Sequence, residues 1–139
     1  MNYSANVTQT YKKTGVETAN QGKLIIMLYQ GAIKYLNIAE KLMKEKEFMQ
    51  ANDNMLRVQA IVNELRYSLN HEKGEEMADN LYKLYEFMYQ TLVEANMDKD
   101  FEKIELVRNM LKELLESWQE VYKKNADNNK KNHNRGLCA

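Results

Sequence analysis

The residues that could perform chemistry in this 139-residue chain are few: two histidines, His71 and His133, and one cysteine, Cys138. A di-iron site in a helical bundle needs a glutamate three residues before each histidine, but Ser68 and Lys130 occupy those positions. A lone histidine is a weak functional signal, and a cysteine next to the chain end has no neighbouring base or cation to ionise it. The sequence also has no glycine-rich phosphate loop. We therefore expect no enzymatic activity, no cofactor and no bound metal.

Tyrosine and methionine are more informative, because each occurs nine times. Tyr82, Tyr85 and Tyr89 follow one another at steps of three and four, which places them on one side of a helix. Tyrosine offers a large contact area with a polar tip, and methionine adapts to irregular partners. Such residues either seal the edge of a bundle or bind a partner, and the tyrosines alone favour the first interpretation.

The segment Leu24–Met43 is the element that would position a partner, because its apolar residues form two neighbouring stripes. The first stripe contains Ile25, Leu28, Ala32, Tyr35, Ala39 and Leu42, and the second contains Ile26, Tyr29, Ile33 and Leu36. A surface helix normally has one apolar stripe. Leaving the second in water would forgo roughly 1.5–3 kcal/mol per large side chain. We expect another part of the chain or a partner to cover it.

Gly31 interrupts this helix, where a glycine costs about 1 kcal/mol relative to alanine. The absence of a side chain lets another chain approach closely. The sequence leaves open whether that chain is a helix of the same bundle or a bound partner.

Composition indicates an all-helical protein. There is no proline, only five glycines, and 44% of the residues are apolar, so long stretches run without helix breakers. Twenty basic and twenty acidic residues cancel, which gives no overall field to attract nucleic acid or an anionic membrane. No uncharged apolar run reaches spanning length, and the first twenty residues lack a signal-peptide core. We expect a cytoplasmic protein without membrane insertion and without nucleic acid.

Helical periodicity predicts four helices, at about residues 21–46, 48–69, 75–96 and from about 100 to 122. On the last three helices, apolar residues at steps of three and four are predicted to face the core: Phe48, Ala51, Met55, Val58, Val62, Leu65 and Leu69; Met77, Leu81, Leu84, Met88, Leu92 and Ala95; and Ile104, Val107, Leu111, Leu114, Trp118 and Val121. Asp100 or Asp98 could cap the last helix, and Gly74 suits the end of the second. Short connections between long helices favour antiparallel neighbours. The predicted fold is all-α: an antiparallel up-down four-helix bundle at residues 20–124, with an N-terminal arm at 1–19 and a disordered C-terminal tail at 125–139.

The chain resembles the flagellin-specific export chaperones of the FliS family. The resemblance is carried, in the family's order and spacing, by Tyr11 in the arm, LIIMLYQGAI at Leu24–Ile33, ANDNMLRVQAIVNEL at Ala51–Leu65, the glycine break and NLYKLYEFM within Leu69–Asn96, and Trp118 near the end of the last helix. It covers about residues 11–122. Two positions depart from the family pattern: Gln30 replaces an aspartate, and Gly22 enters the first turn, where Asn20 could cap the helix.

The resemblance implies a chaperone that binds the C-terminal segment of flagellin, which is disordered in the monomer and helical in the filament. Such a chaperone wraps this segment around the bundle in the cytoplasm, prevents premature polymerisation and presents flagellin to the flagellar type III export apparatus. The expected partner-binding residues are Tyr11, Ile26, Tyr29, Ile33, Leu36, Tyr82, Tyr85 and Tyr89. The arm around Tyr11 could cover the groove when flagellin is absent. The alternative is a structural bundle that self-associates through the second stripe and carries no cargo.

Overall fold

The computed structural model describes residues 17–69 and 75–138, and each element in these ranges is an α-helix. The helices are α1 (Glu17–Lys44), α2 (Phe48–Tyr67), α3 (Glu75–Asp98) and α4 (Phe101–Cys138). α1 packs against α2 and α4, and α3 packs against the same two helices. The helices therefore form a four-membered ring around one core, which confirms the predicted all-α bundle.

Two turns at one end of the bundle share the same backbone geometry. Lys46 and Lys99 adopt the left-handed conformation, with φ of 61° and 53°. The N–H groups of the next residues, Glu47 and Asp100, donate to the carbonyl oxygens five residues earlier, at 2.9 and 3.1 Å. This is the hydrogen bond that ends many helices with a left-handed residue. The Asp100 carboxylate also accepts from the N–H groups two and three residues later, so Asp100 is the predicted cap of α4.

The core contains most of the residues that heptad spacing predicted for the last three helices. Those that are fully buried are Ala51, Met55, Val58, Val62, Leu65, Met88, Leu92, Ala95, Ile104, Val107 and Leu111. The ends of the predicted stripes are different: Phe48, Met77 and Val121 are about half exposed or more. These residues lie near the ends of the bundle, where neighbouring helices flank them less completely.

The core stripe of α1 lies between the two stripes that the sequence suggested. It consists of Tyr29, Ala32, Leu36, Ala39 and Met43, and so takes members from both. The helix turns 100° per residue, so a line between two adjacent stripes also repeats at steps of three and four. The interpretation of one core stripe and one surplus stripe is corrected to one core stripe with an apolar shoulder on each side.

Both chain ends differ from the predicted boundaries. α1 begins at Glu17, so Asn20 lies inside the helix and does not cap it. Residues 1–16, which include Tyr11, lie outside the described residues, as do His71 and Gly74. The predictions for the arm and for these residues stay predictions.

The segment for which we expected disorder continues α4 as far as Cys138. Helical hydrogen bonds are local, and the segment contains no proline and no glycine before Gly136, so nothing in its sequence ends the helix. Tyr122 lies beside Gly22, five residues from the start of α1. At equal rise per residue, α4 beyond about residue 127 extends past the first residue of α1. The division of the chain at residues 19 and 124 into arm, bundle and tail stays a prediction.

Candidate partner-binding surface

Three of the predicted partner-binding residues lie in the core. Tyr29, Leu36 and Tyr85 are each at most 1% exposed. A direct contact between these side chains and a partner would require the helices to separate. Their role in binding remains a prediction, and their place in the structure is that of core residues.

Tyr29, Tyr85 and Trp118 form a polar cluster that joins α1, α3 and α4 through the core. The two tyrosine hydroxyls are hydrogen-bonded at 2.5 Å, and the indole Nε1 of Trp118 donates to the Tyr29 oxygen at 3.3 Å. Burial, which disfavours the phenolate, is the main cause that raises the pKa of each tyrosine above its ordinary value of 10.0. The neighbouring Tyr85 raises the pKa of Tyr29 further. Both hydroxyls therefore stay protonated and paired at neutral pH.

Ile26 and Ile33 lie half-buried on the shoulder of α1 that faces α4. Gly22, one turn before Ile26, packs under the ring of Tyr122 so closely that an added Cβ would lie 2.9 Å from that ring. This contact explains the glycine that departs from the family pattern, because a side chain there would displace Tyr122.

Arg108 of α4 holds the other end of the α1–α4 interface. Its Nη1 donates to Oδ1 of Asn37 at 3.0 Å, and its guanidinium pairs with both carboxylate oxygens of Glu40 at 3.1 and 3.3 Å. The side chains of this ion pair are only 15% and 18% exposed. A bidentate arginine–carboxylate pair fixes geometry as well as adding energy. The side chains of Arg108, Asn37 and Glu40 therefore pair with one another across the α1–α4 interface.

Tyr82 and Tyr89 lie half-buried at the opposite α2–α3 interface, where both rings meet Arg66 of α2. The guanidinium carbon lies 5.6 Å from the Tyr82 ring centre, 5.8 Å from that of Tyr89 and 4.8 Å from that of Tyr67. Arg66 also donates from Nη2 to the Tyr67 hydroxyl at 2.7 Å, and this bond is the main cause that raises its pKa. Three tyrosine rings thus surround one guanidinium group.

Gln59, Asn63 and Arg66 form a polar row on α2 that reasoning from the sequence missed. Gln59 Oε1, Asn63 Oδ1 and Arg66 Nε are buried atoms without a hydrogen-bond partner in the described part of the chain. A buried polar atom that is left unsatisfied costs about 1–3 kcal/mol. The sequence contains a signal for this row, because steps of four and three put the three residues on one side of α2, next to its core stripe.

Further apolar side chains are exposed on the outer faces of α1 and α2. Met27 and Ile38 extend the α1 shoulder that faces α2, and Leu56 and Tyr67 lie on the outer face of α2. Gly31 lies on the same shoulder, and a Cβ added to it would lie at an ordinary contact distance, 3.6 Å, from Ile61 of α2. The bundle itself therefore does not require a glycine there.

Catalytic features are not found where the structure can be described. Residues 17–69 and 75–138 contain no group of three or more histidine, cysteine or acidic residues that could hold a metal ion. Within the same ranges, no helix is long and apolar enough to cross a membrane. The candidate surface consists of apolar shoulders and aromatic rings at two opposite interfaces of the bundle.

The architecture is that of an all-α four-helix bundle with apolar and aromatic side chains at two opposite interfaces. The family model described as flagellar protein FliS matches residues 4–125. The chain belongs to the FliS family, which confirms the resemblance seen in its motifs. This is a family of chaperones and not of enzymes, so the family also confirms that the chain is not an enzyme.

Several relatives bear the name flagellar secretion chaperone FliS. The chain is 36% identical to the protein of Campylobacter jejuni over 110 residues, which cover 79% of this chain and 84% of the relative. It is 31% identical to the protein of Escherichia coli over 123 residues, or 85% and 90% of the two chains. The Bacillus subtilis protein is 28% identical over 116 residues, or 84% and 86%.

Proposed function

We propose that this protein binds the disordered C-terminal segment of flagellin in the cytoplasm, prevents its premature polymerisation and delivers it to the flagellar type III export apparatus. The relatives' name, flagellar secretion chaperone, supports a role in flagellar export. The observation that carries the flagellin-binding part is the position of the half-buried apolar and aromatic side chains at two opposite interfaces.

A disordered client suits this arrangement better than a folded one. Ile26 and Ile33 lie at the α1–α4 interface, whereas Tyr82 and Tyr89 lie at the α2–α3 interface, on the other side of the ring of helices. One rigid partner helix cannot contact both. An extended chain covers about 3.3 Å per residue, and a helix with side chains is about 10–12 Å wide. The path between the two interfaces crosses the outer faces of two helices, about 20–24 Å, which about seven extended residues span. A flexible segment can therefore reach both interfaces.

Binding would be driven by burial of apolar surface, offset by the entropy lost when the client becomes ordered. No nucleotide is needed for this step. The client must then be transferred to the export apparatus before it polymerises.

The first experiment measures binding of a peptide that contains the flagellin C-terminal segment to the wild-type protein and to Ile33→Asp. A charge at this half-buried position should weaken binding at least tenfold, because the carboxylate must lose water in the complex. The matched control, Asn109→Asp, adds a carboxylate on an exposed position of α4 and should bind as the wild type does.

Circular dichroism and denaturation of both variants show whether each is folded. Ile26→Lys, at the other half-buried position, gives a second variant if Ile33→Asp unfolds. Failure of the wild-type protein to bind the peptide contradicts the proposal. A tight homodimer that persists at all concentrations and does not bind flagellin would favour the cargo-free structural bundle instead.

A second experiment tests the arm. We propose that the segment around Tyr11 covers the binding surface when flagellin is absent. Deletion of residues 1–16, which precede α1, should expose apolar surface and change both stability and peptide affinity. If neither changes, the arm has no such role.

A further inference from the structure

The polar row on α2 has a property that a packing role does not explain. Gln59 is 6% exposed and its Oε1 has no partner, and Asn63 Oδ1 and Arg66 Nε, among the described residues, have none either. Native proteins pair nearly all such groups. Elsewhere at the same interface, in an exposed pair, Asn96 of α3 donates to Asn52 of α2 at 2.6 Å.

We propose that Gln59, Asn63 and Arg66 bind the main chain of an extended segment of the client. This inference rests on the proposed function and adds the form in which the client is bound. The two amide oxygens would accept hydrogen bonds from client N–H groups, and Arg66 Nε would donate to a client carbonyl oxygen. The rings of Tyr82 and Tyr89 would flank the client side chains.

The spacing of the row fits an extended chain and not a helix. Gln59 and Asn63 are separated by one helical step of four residues, about 6 Å along α2. An extended chain presents N–H groups on one edge about every 6.8 Å, at every second residue. A client helix has already paired its backbone groups internally and has only its ends to offer. The row therefore selects an extended client.

The three atoms have almost no accessible surface in the free protein, so the client reaches them only when side chains at the interface move. Arg66 is the side chain placed to do this. It is long, only partly buried, and held by one hydroxyl and three aromatic rings, which are weak contacts for a partly solvated cation. Its rotation exchanges these contacts for hydrogen bonds to the client.

The test combines protein variants with changes in the peptide backbone. Gln59→Met keeps length and shape but removes the acceptor, and an ester in place of one peptide bond of the flagellin C-terminal peptide removes one N–H donor. Scanning esters along the peptide should reveal two positions, two residues apart, at which affinity for the wild-type protein falls about tenfold. Against Gln59→Met, one of these losses should vanish, and against Asn63→Leu, the other.

The stability of the protein without peptide gives an independent measurement. Gln59→Met should leave the denaturant midpoint unchanged or raise it, because it removes an unsatisfied acceptor, while it weakens peptide binding about tenfold. Asn109→Leu, an amide removed from an exposed position of α4, should leave binding unchanged.

The outcomes separate this inference from the proposed function. If the wild-type protein fails to bind the peptide, the proposed function fails. If it binds but no ester position matters, or the losses persist in both variants, the main-chain contact is overturned. The inference is equally overturned if only removal of peptide carboxylates weakens binding, because Arg66 would then recognise acidic side chains.

Discussion

The two interfaces on opposite sides of this bundle differ in how completely their polar groups are hydrogen-bonded. At the α1–α4 interface, Arg108 meets Glu40 and Asn37 with three hydrogen bonds. At the α2–α3 interface, Arg66 stacks on aromatic rings, while its Nε and two nearby amide oxygens lack partners in the described residues. Satisfied polar groups hold helices in register, and unsatisfied ones favour any change that pairs them. We infer that the Arg108 bonds fix the register of α1 against α4, whereas the polar row of the second interface is available for hydrogen bonds to a client.

The central polar cluster supports the same division. Tyr29, Tyr85 and Trp118 belong to α1, α3 and α4, so α2 is the helix that contributes no group to these hydrogen bonds. In hydrogen exchange, we therefore expect the amides of α2 to open at lower free energy than those of α1 and α4.

The largest effect should come from alkaline pH acting on the tyrosine pair. Burial raises the pKa of Tyr29 and Tyr85 above 10.0, so above that pH the unfolded chain loses protons that the native state keeps. The free energy of unfolding should then fall as pH rises, by up to about 1.4 kcal/mol per pH unit for each tyrosine while the pH stays below its native-state pKa. Below pH 10 this contribution is fully present.

Urea denaturation between pH 8 and pH 11.5 measures this slope. Tyr85→Phe removes one titrating group and should make the slope shallower. An unfolding free energy that stays constant across this range would show that the pair ionises equally well in both states.

The next effect compares the two arginines. Arg108→Met leaves the Glu40 carboxylate largely buried, with its bidentate partner lost and Lys44 at 4.0 Å, which should lower the free energy of unfolding by about 2–3 kcal/mol. Arg66→Met removes stacking contacts and one orphaned donor, so its loss should stay below about 1 kcal/mol. Denaturant titration of both variants decides the matter, and equal losses would remove the distinction between the interfaces.

A smaller effect is expected at the third interface, between α1 and α2. Among the described residues, a Cβ at Gly31 meets Ile61 Cδ1 alone, at an ordinary contact distance of 3.6 Å, so Gly31→Ala should raise the free energy of unfolding by about 0.5–1 kcal/mol. Thermal denaturation measures the gain. If the same variant binds flagellin more weakly, the client approaches the α1 backbone at this position. If binding is unchanged, Gly31 lowers the stability of the protein without contributing to binding.

The smallest effect should come from the exposed Lys103–Glu94 pair between α4 and α3, with N···O of 3.0 Å. The hydrogen bond from Lys103 lowers the pKa of Glu94 below 4.5, so its contribution is present above that pH and is lost as pH falls. Lys103→Met should change the denaturation midpoint less than Gly31→Ala at pH 7, and not at all once Glu94 is protonated. A large change at pH 7 would show that an exposed pair is as important as the Arg108 pair.

The fold follows from the sequence because periodicity and the absence of breakers are local signals. Met55, Val58 and Leu65 of α2 were predicted in the core and lie there. The site was less accessible to such reasoning. Ile33 and Tyr82 were both expected to bind the partner, and their positions at opposite interfaces were not foreseen, because a helical pattern indicates one side of a helix and not the neighbour that this side faces.

Burial of polar groups was equally hard to foresee. Tyr29 and Tyr85 were expected to bind a partner, but their hydroxyls are hydrogen-bonded to each other within the core. The spacing of Gln59 and Asn63 is visible in the sequence. Their lack of hydrogen-bond partners is not, because it depends on which groups of α3 lie opposite them.

The two similar turns at one end of the bundle have a consequence for the integrity of the chain. Lys99 lies 5.6 Å from the ring centre of Phe48, and Lys44 lies 5.6 Å from that of Phe101, so each hairpin places a cation on an aromatic ring of the other. The hairpins α1–α2 and α3–α4 therefore contact each other through two cation–π pairs at the end of the bundle that carries both turns. We call these two pairs the clasp. If the backbone were severed between Leu69 and Glu75, the two fragments would still carry matching halves of this clasp, and the protein should reassemble from them as a split pair.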